Sequence, residues 1–79
     1  MSGAALKLRR VGRVDALDFL NLSIGADLRK RRESLGLTQV EVARKARMRP
    51  EVLSRLEKGH GNPTVRTVRR ILRAMGYKA

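Results

Sequence analysis

The 79-residue chain is expected to fold as a compact all-α bundle of four helices, or five if its N-terminal stretch adds a helical turn. Apolar residues come in short blocks at three- and four-residue spacing rather than in strand-like alternation. Val42-Ala43-Ala46, Val52-Leu53-Leu56 and Val65-Val68-Ile71-Leu72-Met75 each make one stripe on one helix face. Helix punctuation separates the blocks. Thr38, Pro50 and Thr64 stand ahead of them, and Gly36, Gly59 and Gly76 stand where helices end in a left-handed residue. With one Phe, one Tyr and no Trp, the core must be aliphatic.

Residues 1–22 read as a basic N-terminal arm, partly ordered or dimer-forming. Leu6-Lys7-Leu8-Arg9-Arg10-Val11-Gly12-Arg13-Val14 is either a short strand or a basic tail, and Gly12 weakens both regular assignments. Asp15 to Leu20 would add one helical turn or two. Residues 23–79 form the folded domain. Ser23 is the expected N-cap of its first helix, with Asp27 near the positive end and Ile24, Leu28 and Leu35 on the inner side. Thr38-Gln39-Val40-Glu41 is a capping box, in which hydroxyl and carboxylate each satisfy the other residue's backbone N–H. Pro50 opens the third helix, where its missing N–H costs nothing. Lys58-Gly59-His60-Gly61-Asn62-Pro63 is a loop, and Thr64 caps the last helix. Its outer face carries Arg66, Arg69, Arg70 and Arg73. Helices this short are marginal alone and must pack on one another.

Nineteen Lys and Arg against seven Asp and Glu leave a net charge of +12. Fifteen of those cations and five of the acids lie from Ser23 onward, so the folded part carries most of the excess. Such density is self-repelling unless a polyanion relieves it, and nucleic acid is the favoured partner. The absence of Trp and the single Phe argue against an interfacial membrane helix. No apolar run is long enough to span a bilayer, and the first residues lack the apolar stretch expected of a secretory signal. No cysteine and one histidine leave no metal cluster, and no nucleophile–base set or phosphate-cradling glycine loop points to catalysis. No cofactor, metal, catalytic residue or membrane partner is expected, and the location is expected to be cytoplasmic, at the nucleoid.

From Ile24 to Gly76 the chain resembles the phage-repressor and Cro-like (XRE) helix-turn-helix family. The resemblance rests on Leu28-Arg29 and Arg32, Gly36-Leu37-Thr38-Gln39, Val42-Ala43, Leu53-Ser54-Arg55-Leu56-Glu57-Lys58-Gly59, Asn62-Pro63-Thr64 and Ala74-Met75-Gly76. It implies a lambda-repressor-like DNA-binding domain, commonly a symmetric dimer, with the 50–58 helix in the major groove. By position, Arg49, Pro50, Glu51 and Arg55 would face base edges. Arg55 suits guanine O6 and N7, and Glu51 suits a cytosine N4 amine. Glu51 and Arg55 also stand at i, i+4, where they would simply brace each other. Arg29, Thr38, Gln39, Ser54, Lys58, Asn62, Thr64 and Arg66 would meet phosphates, with plain helix-start and loop roles as the alternatives for Gln39 and for His60. Arg32 and Glu57 match a partly buried ion pair. Arg69, Arg70 and Arg73 form either a solvated face or a source of long-range attraction.

Three departures stand out. Arg47 replaces the usual turn glycine and must enter an unfavourable φ region. Arg49 replaces a serine or threonine cap. Many members of that family add a fifth helix after the fourth; none is expected here, so either the arm is expected to supply the dimer contact or dimerisation is expected to be weak. The reading that results is a sequence-specific double-stranded DNA-binding regulator, a repressor acting as a homodimer on a palindromic operator. The alternative is an antitoxin that binds a toxin protein through Leu17, Phe19, Leu20 and Leu22 and autoregulates through the same domain. An architectural DNA protein fits the charge but not the well-formed recognition helix.

Overall fold

The computed structural model describes residues 20–78. They hold four helices and no strand: α1 at 20–34, α2 (Gln39–Lys45), α3 (Pro50–Glu57) and α4 (Val65–Ala74). The expected strand or tail at residues 6–14 and the apolar positions Leu17 and Phe19 lie outside the described residues. Leu28 from α1, Val42, Ala43 and Ala46 from α2 and its cap, Leu53 and Leu56 from α3, and Ile71 and Met75 from α4 make one buried aliphatic cluster. Leu37, Met48, Val68, Leu72 and Ala74 pack against its margin.

The caps form as the sequence predicts. Thr38 accepts from the Glu41 N–H at 3.1 Å while Glu41 accepts from the Thr38 N–H at 2.8 Å. Thr64 accepts from the Thr67 N–H, and Pro50 occupies the first turn of α3. Arg49 stands at the α3 N-cap without a side-chain bond, as its chemistry dictates.

All four helices end alike. A left-handed residue donates back to the carbonyl three positions before it, and the next residue donates to the carbonyl five positions before that one: Leu37 to Arg32, Met48 to Ala43, His60 to Arg55, Tyr77 to Leu72. Glycine fills the left-handed position at 36, 59 and 76, whereas after α2 it is Arg47, with φ at 58°.

The start of α1 differs from expectation. Ser23 is no cap, because it lies inside a helix that already includes Leu20, and nothing in Asn21-Leu22-Ser23 interrupts the turn. Its inward stripe is Asn21, Gly25, Leu28 and Arg32, at i, i+4, i+7 and i+11, so Ile24 is left at the edge with 37% exposure. Leu35 is exposed as well, lying past the last turn of α1. Val65 is 76% exposed rather than inward, since it is the first residue of α4 and overhangs the packed part. Val52 faces out from α3.

Gly25 lets α1 close on the end of α3. A Cβ there would stand 2.0 Å from the Leu56 carbonyl oxygen, and that oxygen is backbone that cannot rotate aside. Gly25→Ala is expected to lower stability by roughly 3 kcal/mol through enforced separation of the two helices. A thermal melt should show the midpoint falling by about 10 °C or more; an unchanged midpoint would refute the contact.

Candidate nucleic-acid interface

Helix α3 has two chemically opposite faces. Leu53, Leu56 and Glu57 are buried, while Glu51, Val52, Arg55 and Lys58 are exposed at i, i+1, i+4 and i+7. Arg49, just ahead of the helix, is also exposed, and Pro50 is half-buried. Glu51 and Arg55 do not bond to each other, and no other described side chain pairs with either, so mutual bracing is not their role. Both are left open to solvent.

The inner face is fixed by a polar cluster. Arg32 Nε donates to Glu57 Oε2 at 2.7 Å and Nη2 donates to Oε1 at 3.0 Å, a two-point fork. Its Nη1 donates to the Leu37 carbonyl at 2.8 Å. Gln39 Nε2 donates to Glu57 Oε1 at 2.9 Å, so the Glu57 carboxylate is shared by three donors. The side chains of Arg32 and Glu57 are 11% and 2% exposed. The bond to Glu57 raises the Arg32 pKa further, against a smaller opposing effect of burial. The expected ion pair is therefore present, and Gln39 turns its amide nitrogen into this cluster rather than outward.

The other phosphate candidates fall into two groups. Several are already engaged within the protein. Thr38 and Thr64 cap their helices, Arg29 pairs with Glu33 at 3.2 Å, and Asn62 Oδ1 accepts from Asn21 Nδ2 at 2.7 Å. Lys58 and Arg66 are exposed, Ser54 is half-buried, and His60 is an exposed loop residue.

Two structural contacts differ from what the sequence predicts. Asn21 ties the start of α1 to the loop before α4. Arg70, expected on a solvated face or as a long-range charge, instead donates through Nη2 to the carbonyls of Ala46 and Arg47. The sole hint was Arg47 itself, a side chain in a position that calls for support.

The helix-turn-helix family model matches residues 28–79, which spans the two-helix unit, the ion pair and α4. The chain belongs to this family. Among curated proteins, this helix-turn-helix chain is similar to endothelial differentiation-related factor 1 of Rattus norvegicus, Mus musculus and Homo sapiens, with 34% identity over 61 residues in each. Those 61 residues are 77% of this chain and 41% of each relative, so the chain spans about two-fifths of their length. No solved structure gives a significant match. No helix among the described residues is long and apolar enough to cross a membrane.

Replacing Arg32 by Ala strands a buried carboxylate, and a loss of about 3–5 kcal/mol is expected in denaturant unfolding. A loss under about 1 kcal/mol would mean that water reaches Glu57 freely. A second test concerns acid. The bond from the Thr38 N–H, then the Thr38 side chain, holds the Glu41 carboxyl below its ordinary pKa. A depressed folded pKa adds stability above the unfolded value and loses it as pH falls through the folded one. Wild type should thus exceed Glu41→Gln in stability at neutral pH and converge with it in acid. A constant gap across the titration would contradict this.

Proposed function

We propose that the chain is a sequence-specific double-stranded DNA-binding transcription regulator, a repressor that lays α3 in the major groove. The observation that carries this reading is the outer face of α3, where Glu51 and Arg55 stand unpaired while the opposite face is locked by core and ion pair. An α-helix with its side chains is about 10–12 Å across, which suits a major groove about 12 Å wide. Arg55 would grip guanine O6 and N7, Glu51 would accept from a cytosine amine, and Arg49 and Pro50 would approach neighbouring base edges. Lys58 and Arg66 would neutralise phosphates, with Ser54 beside them. Gln39 would act through its first-turn backbone N–H, since its side chain serves Glu57.

Two copies on a palindromic operator, one half-site each, would give the spacing of about one helical turn that such units use. Leu20 and Leu22, each 53% exposed at the start of α1, favour the second reading of a toxin-binding antitoxin. A small protein co-purifying in fixed ratio through a high-salt wash, and lost on Leu20→Asp, would promote it.

Selection of duplexes from a random pool tests the leading reading. A two-fold symmetric motif is expected, and enrichment of no motif would overturn it. Affinity should fall steeply with salt, with a log–log slope of about 0.9 per neutralised phosphate. Arg55→Ala should cost roughly 1–3 kcal/mol on the selected site and flatten preference at one base pair. Uniform weakening across all sequences would instead make Arg55 a phosphate contact.

A further inference from the structure

We propose that Arg70 is a positioning residue for the recognition helix, acting through the turn between α2 and α3 rather than on DNA. The inference rests on the DNA-binding reading above and adds a residue that the reading does not use.

The turn has an unusual need. After α2, the N–H groups of Arg47 and Met48 return to the carbonyls of Arg44 and Ala43 at 3.1 and 2.9 Å, and this geometry requires a left-handed residue at position 47. Arginine holds φ at 58° there, a conformation that its Cβ disfavours. The three other helix ends place glycine at the equivalent point. Something must hold the turn against relaxation to an ordinary φ.

Arg70 supplies that hold from α4. Its Nη2 donates to the carbonyl of Ala46, the α2 C-cap, and at 2.9 Å to that of Arg47. These two oxygens lie on either side of the left-handed residue's own φ and ψ, so one guanidinium nitrogen spans the strained unit. The negative end of α2 adds a favourable field for the cation. Two residues later the chain enters the N-cap of α3 at Arg49. A turn that relaxed at Arg47 would therefore swing the first turn of α3, where Arg49, Pro50 and Glu51 stand.

The competing role is a plain phosphate contact, since Arg70 is exposed and carries further N–H donors. Salt separates the two. Arg70→Met keeps the aliphatic stem and removes the fork. The expected result is affinity for the selected duplex about tenfold weaker, with the salt slope unchanged and with faster hydrogen exchange at the Arg47 and Met48 amides. A slope reduced by about 0.9 would make Arg70 a phosphate ligand and overturn the proposal. Unchanged affinity or unchanged exchange would overturn it too.

Arg47→Gly provides the second variant. Glycine adopts the left-handed turn without strain, so Arg70→Met in that background should fold and should lose less than about twofold in affinity relative to Arg47→Gly alone. An undiminished tenfold loss there would exclude action through the turn. A wild-type chain that binds no duplex would defeat the DNA reading itself, while amide exchange still reports whether the clamp exists.

Discussion

A buried carboxylate sets the geometry from which the rest of this domain follows. Glu57 is removed from water on α3, and an ion in that state is tolerated where excellent geometry and further hydrogen bonds replace its hydration. The replacement comes from two side chains, the forked Arg32 of α1 and the amide of Gln39 at the start of α2, and Arg32 is itself held by the carbonyl of Leu37 in the loop between them. The surrounding core is Leu, Val, Ala, Ile and Met, whose mutual attraction has little direction. Side chains of that kind permit one helix to slide on another with small penalty. The fork does not, because two parallel N–H···O bonds hold at one distance and one angle.

Close backbone approach complements this. Gly25 brings α1 against the last turn of α3, and Asn21, one turn earlier, bonds to Asn62 in the loop beyond. Arg32 lies two turns further along the same face. One side of α1 thus meets α3 and its following loop through an amide, a missing side chain and an ion pair in succession, with Leu28 between them in the shared core. The arrangement leaves the far face of α3 with no structural duty.

Much of this was legible in the chain itself. Thr38, Thr64, Pro50 and the glycines at 36, 59 and 76 act within three to five residues, so local chemistry was enough to place α2, α3 and α4. The ion pair came from the positions of Arg32 and Glu57 within a family pattern, not from periodicity. The face of α1 differs from expectation for a definite reason. A search for apolar spacing favours Ile24, Leu28 and Leu35, whereas the true inward stripe holds one apolar residue among Asn, Gly and Arg. Arg70 was hidden because its acceptors are main-chain oxygens 23 and 24 residues away, and no side-chain pattern announces a carbonyl. For the interface, the openness of Glu51 and Arg55 excludes bracing, and the inward turn of Gln39 reflects a demand from Glu57 that no neighbour in sequence reveals.

The lone acid on the exposed side of α3 has a consequence of its own. Glu51 stands among Arg49, Arg55 and Lys58 on a surface suited to a polyanion, and a carboxylate there repels every duplex it approaches. In the proposed complex that repulsion would be offset where an amino group on a base edge met it. Under the proposed DNA-binding role, discrimination on such a surface would arise from rejection as much as from attraction, and a strongly cationic domain would be kept from clinging indiscriminately to the abundant wrong sites.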